Sequence, residues 1–252
     1  MSAKTYKHLQ SKALEIAQSL TRPVFYEVHA AAVGRADKML GSHALIRKCR
    51  AFLDAAQLEC AHGVCHCESV ARDAGALVLI EAPGKGIAAE EEERLFLAAL
   101  IAGLLHDIKR REKDHAVLGS IEAGKILATL GMEEKYRRYV TEAIMNHEAF
   151  KKTHDTENPA GRLVSDALYD ADKFRWGPEN FTTTVWLMVE ARNTPLEALY
   201  RNFRESMKGI EKIKTTFRTD TGKRYGPEFI DQGIAIGNAI FEEMNLLLQT
   251  ET

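Results

Sequence analysis

Proline is scarce in this chain, with six in 252 residues, and glycine is modest at 17. So few breakers disfavour a turn-rich all-β fold and leave room for helices. An excess of one charge is also lacking: 34 basic against 36 acidic side chains give a formal net charge of −2. With no basic field, neither nucleic acid nor a membrane surface is expected as a partner. The longest apolar run, 96–105, falls short of the roughly 20 residues a membrane-spanning helix needs. The start, "MSAKTYKHLQSKALEIAQSL", is polar and amphipathic without a cleavage pattern, so no export signal is expected. Cysteine is limited to Cys49, Cys60, Cys65 and Cys67. Three of these crowd one segment, a poor layout for a disulfide framework, and a reducing, cytoplasmic location is the expectation.

What the chain does have is helical periodicity. Apolar residues recur at helical spacing over 4–20 and over 65–78, where Val70, Ala74 and Leu77 share a stripe. Ser42 reads as an N-cap opening a helix through "HALIRKCRAFLDAAQLEC". After a break at "EAPGKGIAAE", an acidic first turn starts a helix that is apolar on nearly every face at its end, which places it centrally. Further helices are expected over 116–130, 133–146, 160–172, 182–190, 195–212 and 227–248, with "TFRTDTGKRYGPE" as a loop, a lid or substrate wall. The expectation is one all-α domain, 1–252, with a bundle core at about 42–180 and a C-terminal helical extension over 181–252.

The stretch "ECAHGVCHCES" is dense in metal-ligand residue types. Structural zinc takes four ligands, usually as two separated pairs. Here Cys60, His62, Cys65 and Cys67 stand side by side, and no second cysteine pair follows. Haem attachment takes C-x-x-C-H, and the gap from Cys60 to Cys65-His66 is too wide. The cysteines read best as small packed residues. His62 and His66 share a helical face, an arrangement more often structural than functional when it stands alone.

It does not stand alone. His106-Asp107 ends an apolar helix, where two ionisable side chains must be paired or bind something. His115 opens the next helix, His147 closes "VTEAIMNHEAF", and Asp166, Asp170 and Asp172 lie in "SDALYDADKFRW". Imidazoles and carboxylates from several helices are the donors of a catalytic metal site in a bundle. Without thiolate they suit Mn2+, Fe2+, Mg2+, Ni2+ or Co2+ better than structural Zn2+.

The order H…HD…D, carried by "HGVCHCESVARDAG", "LLHDIK" and "YDADKF", resembles the HD-domain metal-dependent phosphohydrolases over about 62–175. The resemblance makes His66 the first ligand, with Val70 and Ala74 at +4 and +8. His43 is the weaker rival, with Arg47 and Ala51 at those places. His106 and Asp107 become the central pair, and Asp172, directly before Lys173, the last ligand. This implies an HD-domain helical bundle holding one divalent metal on His66, His106, Asp107 and Asp172. Subfamilies with extra histidines resemble binuclear sites, in which His115 and His147 join and Asp107 bridges two ions.

The implied reaction is hydrolysis of a small phosphorylated molecule, a nucleotide among the candidates, by metal-activated water. Asp107 and His115 would be catalytic groups, with Asp170 a further proton carrier. Lys109, Arg110 and Lys173 would meet the phosphate, although "KRREK" also reads as an ordinary solvated run. The same ligand order resembles the diiron oxygenases built on the HD fold. A third reading is a non-catalytic HD-fold module that binds a ligand, against which the complete ligand set argues. Trp176, Trp186 and Phe217 are candidates for stacking a base, though helical aromatics more often pack in a core. His8, His29 and His154 have no partners in sequence.

Overall fold

The computed structural model describes residues 3–55, 63–154, 156 and 158–250. Regular structure among them is entirely helical, and the fold is all-α. The α-helices are α1 (Ala3–Ser19), α2 (Val24–Val28), α3 (Ala30–Ser42), α4 (Ala44–Ala55), α5 (Val64–Glu81), α6 (Ala89–Leu105), α7 (His115–Thr129), α8 (Glu134–Met145), α9 (Pro159–Phe174), α10 (Val185–Arg192), α11 (Leu196–Lys212) and α12 (Asp220–Thr250). Among the described residues, no helix is long and apolar enough to cross a membrane. Cys60 and His62 lie outside the described residues, as does the end of the helix expected to reach Cys60.

The chain divides into two compact units. One comprises Val24–Asp172 with Phe217–Arg224. It overlaps the expected 42–180 core, starts earlier, and takes in a segment from well beyond it. The other comprises Met1–Pro23, Lys173–Thr216 and Tyr225–Thr252.

The first unit is built on α5 against α6. Residues 98–105 of α6 are all buried, which follows from an apolar surface running right round the helix. The two helices approach closely because small residues line their contact. A Cβ on Gly103 would collide with the Ala71 backbone, and one on Gly75 would meet Leu100 Cδ2 at 2.7 Å. A second pair, α7 and α8, forms an antiparallel hairpin. Gly131, with φ +75°, makes its turn in a left-handed conformation that side chains disfavour. In the second unit, α1 is tied down by Gln10 Nε2 donating to the Thr182 carbonyl at 3.0 Å and by His8 against Glu243 at 2.7 Å.

Three local expectations change. Residues 24–42, which periodicity leaves unassigned, form α2 and α3. Ser42 closes α3 instead of capping α4, its hydroxyl donating back to the Lys38 carbonyl at 2.7 Å. The stretch "TFRTDTGKRYGPE" is helical from Asp220 onward, with Pro227 inside α12. The first amide groups of a helix have no intrahelical acceptors, and here a buried carboxylate and the Thr219 hydroxyl, which takes the Gly222 amide, supply them, while a second carboxylate holds the residues just before the helix. Asp170 accepts from the Arg218 and Thr219 amides, and Glu81 from the Thr221 amide.

Candidate metal centre

Both central histidines are set by the helix ends that carry them. His106 follows α6 and donates Nδ1–H to the Gly103 carbonyl at 2.8 Å. His147 follows α8 and donates Nδ1–H to the Ile144 carbonyl at 2.6 Å. A carbonyl only accepts, so in both rings Nδ1 carries the hydrogen and Nε2 keeps its lone pair. Successive turns, with the Ile108, Arg110 and Glu112 amides bonded three residues back, lead from α6 to α7. Asp114 takes a left-handed conformation, φ 59°, and His115 then opens α7. His66 sits near the start of α5 and Asp172 in the last turn of α9.

These side chains converge. His66 Nε2 lies 3.6 Å and His106 Nε2 3.7 Å from Asp172 Oδ1. Asp107 turns its two oxygens different ways: Oδ2 is 3.6 Å from His106 Nε2, while Oδ1 is 3.6 Å from both His115 Nε2 and His147 Nε2. Two trios result, His66–His106–Asp107 and Asp107–His115–His147, and within each the donor atoms lie within 4.8 Å of one another. Separations of 3.6 Å are long for hydrogen bonds. Two donors bound to one ion at about 2.1 Å would stand roughly 3.0–3.5 Å apart, close to what is seen.

Two observations test whether a cation fits. His106 is fully buried, and its Nε2 has no hydrogen-bond partner; leaving such a group unmet is costly. His115 Nε2 and His147 Nε2 face each other at 3.3 Å. The guanidinium of Arg110, which only donates, approaches His115 Nε2 at 2.9 Å, so that nitrogen too presents a lone pair. Neither nitrogen then carries a hydrogen to give the other, so their 3.3 Å contact is not a hydrogen bond between them. Burial pushes the His106 pKa down to about 4, with Asp107 and Asp172 pulling the other way. Burial lowers that of His115 as well, opposed by Asp107. Both imidazoles are therefore held in the neutral, metal-binding form, and the buried histidine and aspartate groups are close enough to hold a metal ion.

The remaining candidates lie as follows. Asp170 belongs to neither trio and accepts from the Arg218 amide at 2.8 Å and from the Thr219 amide and hydroxyl at 2.8 and 2.7 Å. Burial pushes its pKa up to about 7 against those donors. Arg110 is exposed at the edge of the second trio, 2.9 Å from His115 Nε2, and Lys109 is half-buried. Lys173 is 2% exposed, its ammonium 5.5 Å from the centre of the Trp176 ring. His43 and the histidines His8, His29 and His154 belong to neither trio. Trp186 and Phe217 are buried, and the Trp186 indole donates to the Phe181 carbonyl at 2.6 Å. Cys65 is exposed and Cys67 buried, and neither cysteine joins a trio. Sequence reasoning missed Arg218, whose guanidinium donates to the carbonyl of Asn146, next to His147, at 3.2 Å. Compared with known proteins, the chain matches no family model, no curated protein and no solved structure.

Proposed function

We propose that this protein is a metal-dependent phosphohydrolase of the HD-domain kind, acting on a small phosphorylated molecule at a two-cation centre bridged by Asp107. The observation that carries the reading is the two-sided placement of that carboxylate, with each oxygen 3.6 Å from a different set of imidazoles. Divalent cations held there would lower the pKa of bound water and polarise a phosphoryl group.

The chain's own residues prepare the site. The Gly103 and Ile144 carbonyls orient the His106 and His147 rings, and partners of this kind fix the tautomer and ring direction a metal needs. The low pKa of His106 keeps it a donor of electrons at neutral pH. Two divalent ions against Asp107 and Asp172 leave a surplus of positive charge, which suits a phosphate better than a neutral substrate. Arg110 sits beside the second trio as a further cationic donor, and Lys109 is its neighbour in sequence. The low exposure of Lys173 makes it a weaker candidate for this role.

The ligand set equally suits two irons and dioxygen chemistry, so the decisive experiment separates water from oxygen. Metal-free protein is loaded with Mn2+, Co2+ or Fe2+ and offered a panel of phosphomonoesters and nucleotides under strict anaerobiosis. Phosphate release with more than one metal is expected, because hydrolysis needs no redox change. Oxygen consumption by the iron-loaded protein, with no phosphate from any panel member, would overturn the phosphohydrolase reading in favour of a diiron oxygenase.

A further inference from the structure

We infer that Arg218, with the segment that carries it, is a positioning residue for the His147 side of the metal centre. The inference rests on the two-cation reading of that centre.

The segment Phe217–Arg224 belongs to the same compact unit as the trios, although the preceding stretch, Lys173–Thr216, belongs to the other. It is fastened by two buried carboxylates. Asp170, on α9, takes the Arg218 and Thr219 amides and the Thr219 hydroxyl. Glu81, at the end of α5, takes the Thr221 amide at 2.7 Å and its hydroxyl at 2.6 Å. A Cβ on Gly222 would collide with the Asp170 carboxylate, so glycine is what lets the segment come this close.

This fastening aims Arg218 at the end of α8. Its guanidinium carbon lies 3.6 Å from the centre of the Tyr169 ring, and Nη1 is 3.9 Å from Asp166 Oδ1. Nη2 donates to the Asn146 carbonyl at 3.2 Å. That carbonyl belongs to the peptide joining Asn146 to His147, and it is one of the acceptors a helix end leaves open. The Asn146 side chain also holds the loop beyond, donating to the His154 carbonyl at 3.1 Å and accepting from its amide at 2.8 Å. The local contact of His147 Nδ1 with Ile144 fixes the ring relative to α8. Arg218 fixes the peptide on which the ring turns. Replacing it should therefore disturb the ion that Asp107 shares with His115 and His147 and spare the one that Asp107 shares with His66, His106 and Asp172.

The test counts ions. Metal-free protein is dialysed against Co2+ at graded concentration, and bound equivalents are measured by metal analysis together with the visible Co2+ spectrum. Wild type is expected to bind two. Arg218→Met should keep one at wild-type affinity and bind the other about ten- to a hundredfold more weakly, the usual loss when a partner of a metal ligand is removed. Arg218→Lys should recover part of that loss. Gly222→Ala leaves Arg218 in place but pushes its segment off Asp170, and should weaken the same ion. Equal weakening of both ions in Arg218→Lys and Gly222→Ala would mean a general structural role and overturn the inference. So would an Arg218→Met protein that binds both ions like wild type. A wild type that binds fewer than two ions would overturn the two-cation reading and this inference with it.

Discussion

Asp107 is where a single side chain has most to lose. Its oxygens face two imidazole sets, so Asp107→Ala is expected to strip both ions, while His147→Ala strips one. Metal analysis beside far-UV circular dichroism checks this; full occupancy in Asp107→Ala with intact helices would sink the bridging role. His106 yields a pH prediction for the metal-free protein. Its pKa falls from the ordinary histidine value of 6.5 to about 4 in the fold, because burial disfavours the charged ring. Between these values the unfolded chain takes up a proton that the folded one refuses. The stability from this depressed pKa is full above about pH 6.5 and is lost as pH falls through about 4, on the order of 3 kcal/mol. Urea unfolding at pH 7.5 and 4.5 should show wild type losing more stability than His106→Gln. Equal losses would argue against the buried neutral ring.

Among the helices, the α5–α6 contact decides whether the ligands meet at all. Gly103 is one turn before His106, and the Val70–Ala71 backbone it abuts is one turn after His66. Gly103→Val should wedge the helices apart at a cost of several kcal/mol and abolish metal binding. Thermal denaturation and metal analysis read both, and a stable, metal-replete variant would contradict this packing. Gly34 in α3 provides the contrast. Nothing lies within 4 Å of where its Cβ would be. Gly34→Ala should therefore stabilise by roughly 0.5–1 kcal/mol through helix propensity alone, with no change in metal content. Periodicity made α1 and α5 to α11 readable within a few residues of their ends. It gave no element at α3, whose glycines and charges blur the apolar stripe, and failed at the start of α12, where Glu81 takes the Thr221 amide and Asp170 holds Arg218 and Thr219 just before the helix, both from distant parts of the chain.

For the molecule as a whole, a bound cation is a stabilising ligand of the folded state only. At a free concentration a hundredfold above its dissociation constant it adds about 2.7 kcal/mol. Chelation should therefore lower the melting temperature measurably, and Mn2+ or Co2+ should restore it. The Asp107→Ala variant should melt at one temperature whether metal is present or not. A wild type whose melting ignores chelator and metal would remove the basis for a bound ion.

The sequence alone determined the all-α class and the residues able to ligate, because helical periodicity and residue chemistry are local properties. The tautomers of His106 and His147 are nearly local too, since each ring donates to a carbonyl three residues back. The tertiary structure decided what those residues do together. Asp170 and Asp172 are chemically alike and two positions apart, yet one meets Arg218 and Thr219 while the other meets His66 and His106. A helix turns about 200° between such neighbours, so only the surroundings of α9 separate their roles. The same holds for Arg218, an ordinary basic residue in a polar stretch until Asp170 and Glu81 fasten its segment beside the end of α8.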